Sequence, residues 1–203
     1  MAITYPLSLP ASPSFRSLLI MPEASTPVSE SPFSFQQQVY DHGGQRWRIE
    51  VTYPPMDSAT FRQLRGFLLS LHGTVGTFRA GDPFDIAPTG IATGTPVVDL
   101  ASQTGYTLNT RGWSVSTTNI LKAGDNFQIG DYLYTNLKDV NSDGSGKCTL
   151  DIWPSLRISP ADGATIITAL PKSLFRLDRV DIGFSTGIDK VYNVAFSGVE
   201  ALP

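Results

Sequence analysis

Cysteine is almost missing from this chain of 203 residues. Cys148 stands alone, so no internal disulfide can form and multi-cysteine metal sites are excluded. Histidine is nearly as scarce, with only His42 and His72. A histidine base needs a place in a cleft beside a nucleophile, and these two fall in a turn and at a helix end, so a hydrolase triad is not expected. Charged residues make up 16% of the chain and its formal net charge is -3, against ~25% charged residues in ordinary soluble domains. That leaves no basic field for holding nucleic acid. No segment approaches the ~18 consecutive apolar residues of a membrane span. The opening MAITYPLSLPASPSFRSLLIMPE has neither the Lys/Arg-rich start nor the unbroken apolar run of a secretory signal. The expectation is a chain made and folded in a cytoplasm, with no membrane partner.

What is abundant is apolar residues (41%) together with 18 Gly and 15 Pro, enough to bury a core while keeping strands short and turns tight. Six prolines in the first 32 residues interrupt any helix or central strand there, leaving an extended arm with one short strand near 15–21. In QRWRIEVTY, residues Trp47, Ile49, Val51 and Tyr53 alternate with Arg46, Arg48, Glu50 and Thr52, the pattern of a strand with one buried face. Phe33, Phe35, Gln37 and Val39 alternate just upstream, and Asp41-His42-Gly43-Gly44 lies between. Together these predict a hairpin of residues 33–39 with 45–53. Past Pro54-Pro55, Asp57 or Ser58 caps a helix of about four turns whose Phe61, Leu64, Leu68 and Leu71 share a face and which stops near Gly73. Gly66 within that helix suggests a close packing contact. Residues 74–80 then return as a strand.

After Gly81-Asp82-Pro83 the chain becomes rich in Gly, Thr and Asp, with short β signals about every ten residues up to about Leu170: TPVVDL, YTLNT, WSVSTT, NFQIGDYLYTNL, KCTLDIWPSL and ATIITAL. That is the spacing of a small antiparallel barrel or sandwich. Longer strands resume after Ser173, where VDIGF and VYNVAFSGVEAL are candidates to pair with the first segment. The fold class is therefore mainly β with one α-helix. It comprises a discontinuous β-sandwich or barrel domain of residues 1–82 plus 171–203, and an inserted antiparallel β module of residues 83–170.

Three groups of residues invite chemical readings, each beside a structural one. Asp139, Asn141 and Asp143 with Gly144 resemble half of a calcium loop, but position 12 is Leu150 where Glu is required; the same residues make hairpin turns. Asp82 and Asp85 form a possible carboxylate pair for glycoside cleavage or a turn at a boundary. Trp113, Trp153, Tyr106, Tyr132 and Tyr134 are either a sugar-binding face or the core of the inserted module. No catalytic, cofactor or metal residue is assigned.

The stretch SPFSFQQQVYDHGGQRWRIEVTYPPMDSATFRQLRGFLLSLHGTVGTFRAGDP resembles the N-terminal signature of distal and minor tail proteins of long-tailed, non-contractile bacteriophages. In that family a hairpin, a helix, a Gly-x-Phe-type strand and a Gly-Asp-Pro boundary follow in this order. AGDNFQIGDYLYT, the DGSG turn, LDIWPSLR and LPKSLFRL resemble the accessory β module of the same proteins. The resemblance implies a structural virion protein without catalytic residues or cofactors: a homohexameric ring at the distal end of the tail tube. Its partners would be copies of itself, the tail tube and tape measure proteins, and the baseplate hub or tail fibre proteins. Six hairpins pairing edge to edge would close a barrel whose polar face, with Gln36, Gln38, Arg46, Arg48, Glu50 and Thr52, lines a channel that DNA crosses without specific binding. The alternatives are another tail-tip or hub component, a monomeric carbohydrate-binding module, and a polar face that simply meets bulk solvent.

Overall fold

The structure, a computed structural model, describes residues 3–179, 184–186 and 191–203. The first part holds β1 (Leu7–Ser8), β2 (Ser17–Ala24), β3 (Val28–Glu30), β4 (Gln37–Val39), β5 (Gln45–Thr52), α1 (Ser58–Ser70) and β6 (Phe78–Ala80). Next come β7 (Gly94–Val98), β8 (Thr107–Trp113), β9 (Asn126–Ile129), β10 (Tyr132–Asn136), β11 (Cys148–Trp153) and β12 (Ile166–Ile167). β13 (Ser173–Leu177), β14 (Phe184–Thr186) and β15 (Tyr192–Glu200) end the chain. The fold is mainly β, and α1 is the only helix among the described residues.

Both ends of the chain build one sheet in the order β1-β6-β13-β15-β5-β2, with β14 also on β15. Its inner face carries Ile49, Val51, Phe78, Phe175 and Phe196, and α1 lies over it through Phe61, Leu64 and Leu68. Asp57 starts the helix by accepting the Thr60 N–H at 2.9 Å, which satisfies one of the free donors of the first turn. The helix ends where His72 (φ 49°) and Gly73 (φ 69°) turn left-handed. Gly76 sits under Tyr5, where a Cβ would lie 2.5 Å from the ring, so only glycine permits this approach. Tyr5 in turn donates to the Ser70 carbonyl at 2.7 Å and ties the N-terminal arm to the helix end.

The middle of the chain forms a second, antiparallel sheet in the order β12-β9-β10-β11-β8-β7. A Val97–Thr165 bridge and the Val98 N–H on Ala164 O (2.9 Å) bring its two edges together, which makes it a nearly closed six-stranded barrel. Phe127, Tyr134, Leu108, Leu150, Ile152 and Trp113 fill its interior. The chain leaves the large sheet at Ala80 and returns at Ser173, and those two residues are direct partners in the β6–β13 pair. At the crossing a Cβ on Gly81 would lie 2.2 Å from the Pro171 carbonyl oxygen.

Several expectations from the sequence need correction. Residues 33–39 do not pair with β5: β4 pairs with β3 in a separate two-stranded ribbon, and β5 lies between β2 and β15. The N-terminal arm holds β1, β2 and β3 rather than one strand, because Pro22 sits on an edge where its missing N–H is tolerated. Only Phe78–Ala80 of residues 74–80 is strand, and WSVSTT is strand only as far as Trp113. Of VDIGF, residues 180–183 lie outside the described residues, and Phe184 begins β14. Gly66 has nothing within 4 Å of an added Cβ, so no packing contact among the described residues accounts for it.

Candidate functional site

The alternation of β5 places Arg46, Glu50 and Thr52 on the exposed face of the large sheet, with Arg48 half-buried among them. Arg46 Nε meets Glu23 Oε2 at 2.6 Å across the β2–β5 pair. Arg48 contacts Asp178 Oδ2 at 2.7 Å, Glu23 at 3.5 Å and Glu50 at 3.6 Å. The Ser197 hydroxyl donates to Asp178 at 2.7 Å. The hydrogen bond from Arg46, helped by the charges of Arg46 and Arg48, holds the Glu23 carboxyl below its ordinary value against the opposing effect of burial. Arg179 also lies 3.7 Å from Asp178, so three arginines face three carboxylates in a charge-compensated layer whose ion pairs leave no excess of positive charge to hold a polyanion.

β2 is the last strand of this sheet among the described residues. Ser25 N–H donates to Gly44 O at 2.7 Å, which continues the β2–β5 register. In that register Ser17, Leu19, Met21 and Glu23 point their amides at β5, while Leu18, Ile20, Pro22 and Ala24 point theirs outward. Pro22 therefore breaks no bond of its own sheet and removes a donor only from the open edge. An incoming strand would pair most fully along Ser17–Met21.

Gln36 and Gln38 lie elsewhere. They sit on the ribbon of β3 and β4, which extends the β2–β5 pair through Tyr40 N–H on Pro27 O at 3.1 Å and turns at residues 31–36. Every residue from Ala24 to Gly44 except Ser31 is exposed. Phe33 is 95% exposed and Phe35 74%, so the alternation at 33–39 marks no buried face.

The sheet and the barrel meet over Trp47. Its indole N–H donates to the Leu133 carbonyl at 2.9 Å, and its ring stands edge-on to Trp153 with centroids 4.5 Å apart. Beside it, Arg157 of the barrel meets the fully buried Glu200 of β15 at 2.6 Å. Glu200 also accepts the Trp47 backbone N–H at 3.1 Å. Arg79 reaches Asp131 at 2.7 Å and Gln45 accepts the Ser155 N–H at 3.0 Å. Spacing alone did not single out this cluster, because its members come from distant parts of the chain.

The structure brings some of the sequence-level candidates for chemistry together and separates the others. Trp113 and Tyr134 are core residues of the barrel, Trp113 donating to Thr110 Oγ1 at 2.8 Å and Tyr134 stacked on Phe127. Trp153 faces Trp47, and Tyr106 is 45% exposed on its own. Tyr132 and Tyr134 line one groove beside Ile129 and Leu156, while Trp113, Trp153 and Tyr106 lie apart from it, so the five aromatics form no single sugar-binding face. Asp139 accepts the Ala123 N–H, Asn141 that of Asn119, and Asp143 those of Ser145 and Lys147. They fix turns and converge on no common point, and among the described residues no cluster of His, Cys, Asp and Glu is placed to hold a metal. Asp82 caps its own turn at Phe84 N–H. Asp82 and Asp85 do line one cleft of about 230 Å³, together with Trp47 and Leu133, where burial raises the Asp85 carboxyl despite the Asn126 amide and the Asp82 charge adds to the rise. His42 and His72 are exposed. One G-x-S-x-G pattern does occur, at residues 183–187, but Ser185 lies within β14 opposite Asn193, not at the strand-to-helix turn of a nucleophile elbow.

No family model and no curated protein matches this chain. A second site-like feature went unnoticed in the sequence. Asp125 is buried and accepts N–H bonds from Thr89, Gly90 and Lys122 and the Thr89 hydroxyl, all at 2.6 to 2.9 Å. Burial alone would raise its carboxyl, but these donors outweigh it and hold it below the ordinary value. Its role is to pin the segment entering the barrel to the β9 turn.

Proposed function

We propose that this chain is a structural component of a bacteriophage tail that forms a ring at the distal end of the tube and joins it to the tip or baseplate hub and its fibres. The observation that carries this reading is the pairing of an open β2 edge with an exposed, charge-compensated sheet face on the same two strands. Copies arranged around an axis would satisfy the outward amides of Leu18 and Ile20. Their sheet faces, with Arg46, Arg48, Glu50 and Thr52, would then line a water-filled channel. Near-neutral charge suits a conduit, since a strongly basic lining would hold DNA through counterion release. The hexameric count, the tube, tape measure and hub partners and the virion location come from the family resemblance of the sequence.

In this reading residues 1–82 with 171–203 are the ring-forming unit, and residues 83–170 are a module directed outward. Gln36 and Gln38 leave the channel lining and move to the ribbon. Cryo-electron microscopy of intact virions tests the reading. A ring of this chain between tube and hub, with Arg46 and Arg48 facing the axis, is the expected result; particles lacking the chain would end it.

A further inference from the structure

We infer that the ribbon of β3 and β4 is a docking arm whose tip, Phe33 and Phe35, inserts into an apolar groove on the barrel of a second copy of this chain. The inference rests on the self-association proposed above and adds the contact that would mediate it.

The arm is incomplete by itself. A two-stranded ribbon with three paired residues per strand is marginal in water, yet this one carries five large apolar residues with little cover. Phe33, Phe35, Val28, Val39 and Tyr40 are between 49% and 95% exposed. At 150–250 Å² per aromatic ring, they present roughly 500 Å² of apolar surface. That is at the upper end of the largest patch on an ordinary monomer and approaches the ~800 Å² that each partner contributes to a specific interface. The phenyl groups sit at the turn, about 20 Å from the root of the ribbon at ~3.3 Å per residue. A tip so placed is suited to reaching another molecule.

The chain also carries a matching hole. Between β9, β10 and the segment after β11, a groove of about 370 Å³ is lined by Ile129, Tyr132, Tyr134, Leu156, Ile158 and Pro160. A cavity of ~150 Å³ accepts a benzene ring, so the groove has room for both phenyl groups. Ile158 at its rim is 53% exposed, an apolar side chain awaiting cover. A knob and a hole at different places on one surface make a head-to-tail contact, which repeats from copy to copy and closes into a ring when the rotation allows. This self-complementarity is what selects a second copy over a different protein.

The test uses the purified full chain with p-benzoyl-phenylalanine in place of Phe33, mixed as ¹⁴N- and ¹⁵N-labelled populations and irradiated. Cross-links joining differently labelled copies, from position 33 to residues 156–161, are expected. Cross-links confined to one copy or landing on other surfaces overturn the inference, as does a chain that stays monomeric at every concentration. In sedimentation velocity, Phe33→Ser with Phe35→Ser should weaken self-association at least tenfold, and Ala161→Trp, which fills the groove from its rim, should do the same. Both variants should keep the urea midpoint of the parent, and unchanged association in either refutes the docking. Virion imaging separates the two claims: cross-links without the chain in particles remove the phage reading alone, and a ring in particles without these cross-links removes the arm alone.

Discussion

Replacing Trp47 with Ala asks whether the sheet and the barrel are one cooperative body. The side chain is 8% exposed, touches Trp153 at 4.5 Å between centroids and donates to the Leu133 carbonyl at 2.9 Å. Truncating a buried Trp to Ala costs about 3–5 kcal/mol through lost transfer energy and the cavity left behind. Orphaning the Leu133 oxygen adds about 1 kcal/mol. A loss of about 5 kcal/mol is a third or more of the ~5–15 kcal/mol that holds a native protein together, and lowers the melting temperature by about 10 to 20 °C for a chain of this size. Trp47→Phe keeps an aromatic ring and removes the N–H, so it should lose only about 1–2 kcal/mol. A double-mutant cycle with Trp153→Ala should return a coupling of about 0.5–1.5 kcal/mol for the edge-to-face pair. Urea unfolding followed by tryptophan fluorescence and far-ultraviolet circular dichroism gives all three quantities. A change near zero for Trp47→Ala would mean that the strand faces are reversed. A coupling of zero would mean that the two tryptophans do not join the two layers.

Arg157→Met strands the Glu200 carboxylate in the interior and should destabilise by about 3–5 kcal/mol, whereas Arg157→Met with Glu200→Met should recover most of that loss; equal losses in chemical denaturation would contradict the buried pair. Gly66→Ala places a methyl in open space on a helix and should raise stability by up to about 1 kcal/mol, so a lowered unfolding midpoint would expose a contact not seen here. The Asp125 carboxyl is depressed below 3.8 in the folded state; its stabilisation is therefore complete above that pH and disappears as the pH falls through the folded value. Asp125→Asn should accordingly be much less stable than the parent at pH 7, with the gap narrowing as the pH falls below 3.8, and a gap independent of pH would refute the role given to that carboxylate. Replacing residues 84–170 with a short Gly/Ser bridge joins strands that are already partners and should leave a folded large sheet, less stable because Trp47 and Glu200 lose their cover; complete loss of secondary structure by circular dichroism would show that the sheet needs the barrel to fold.

Local periodicity was the legible part of this fold. The buried and exposed sides of β5 and the helix with its Asp57 cap are set by neighbours within a few residues, and side-chain alternation with a known period reports them directly. Strand pairing was less legible. Two alternating runs joined by Asp-His-Gly-Gly look like a hairpin from sequence, yet β4 turns back onto β3 and leaves β5 to β2, because a backbone ladder bonds any strand of suitable length. The same ambiguity hid the arm: Phe33 and Phe35 have the spacing of a core face, and only the tertiary arrangement shows that no core lies beneath them. The candidate cation and sugar residues were chosen by type, while convergence on a point depends on where distant strands bring them.

By itself, the amino-acid sequence determined a mainly β chain with one helix, a change of texture at Gly81-Asp82-Pro83, and a strand whose polar side carries Arg46, Arg48, Glu50 and Thr52. These follow from composition, turn chemistry and side-chain period, which act over a few residues. Tertiary structure alone decided that Trp47 and Glu200 are covered by the barrel, that Glu23 and Asp178 neutralise the arginines, and that β2 supplies the open edge. Each of those depends on groups far apart in the chain meeting within a few ångströms, and the geometry of that meeting is not written in any local pattern.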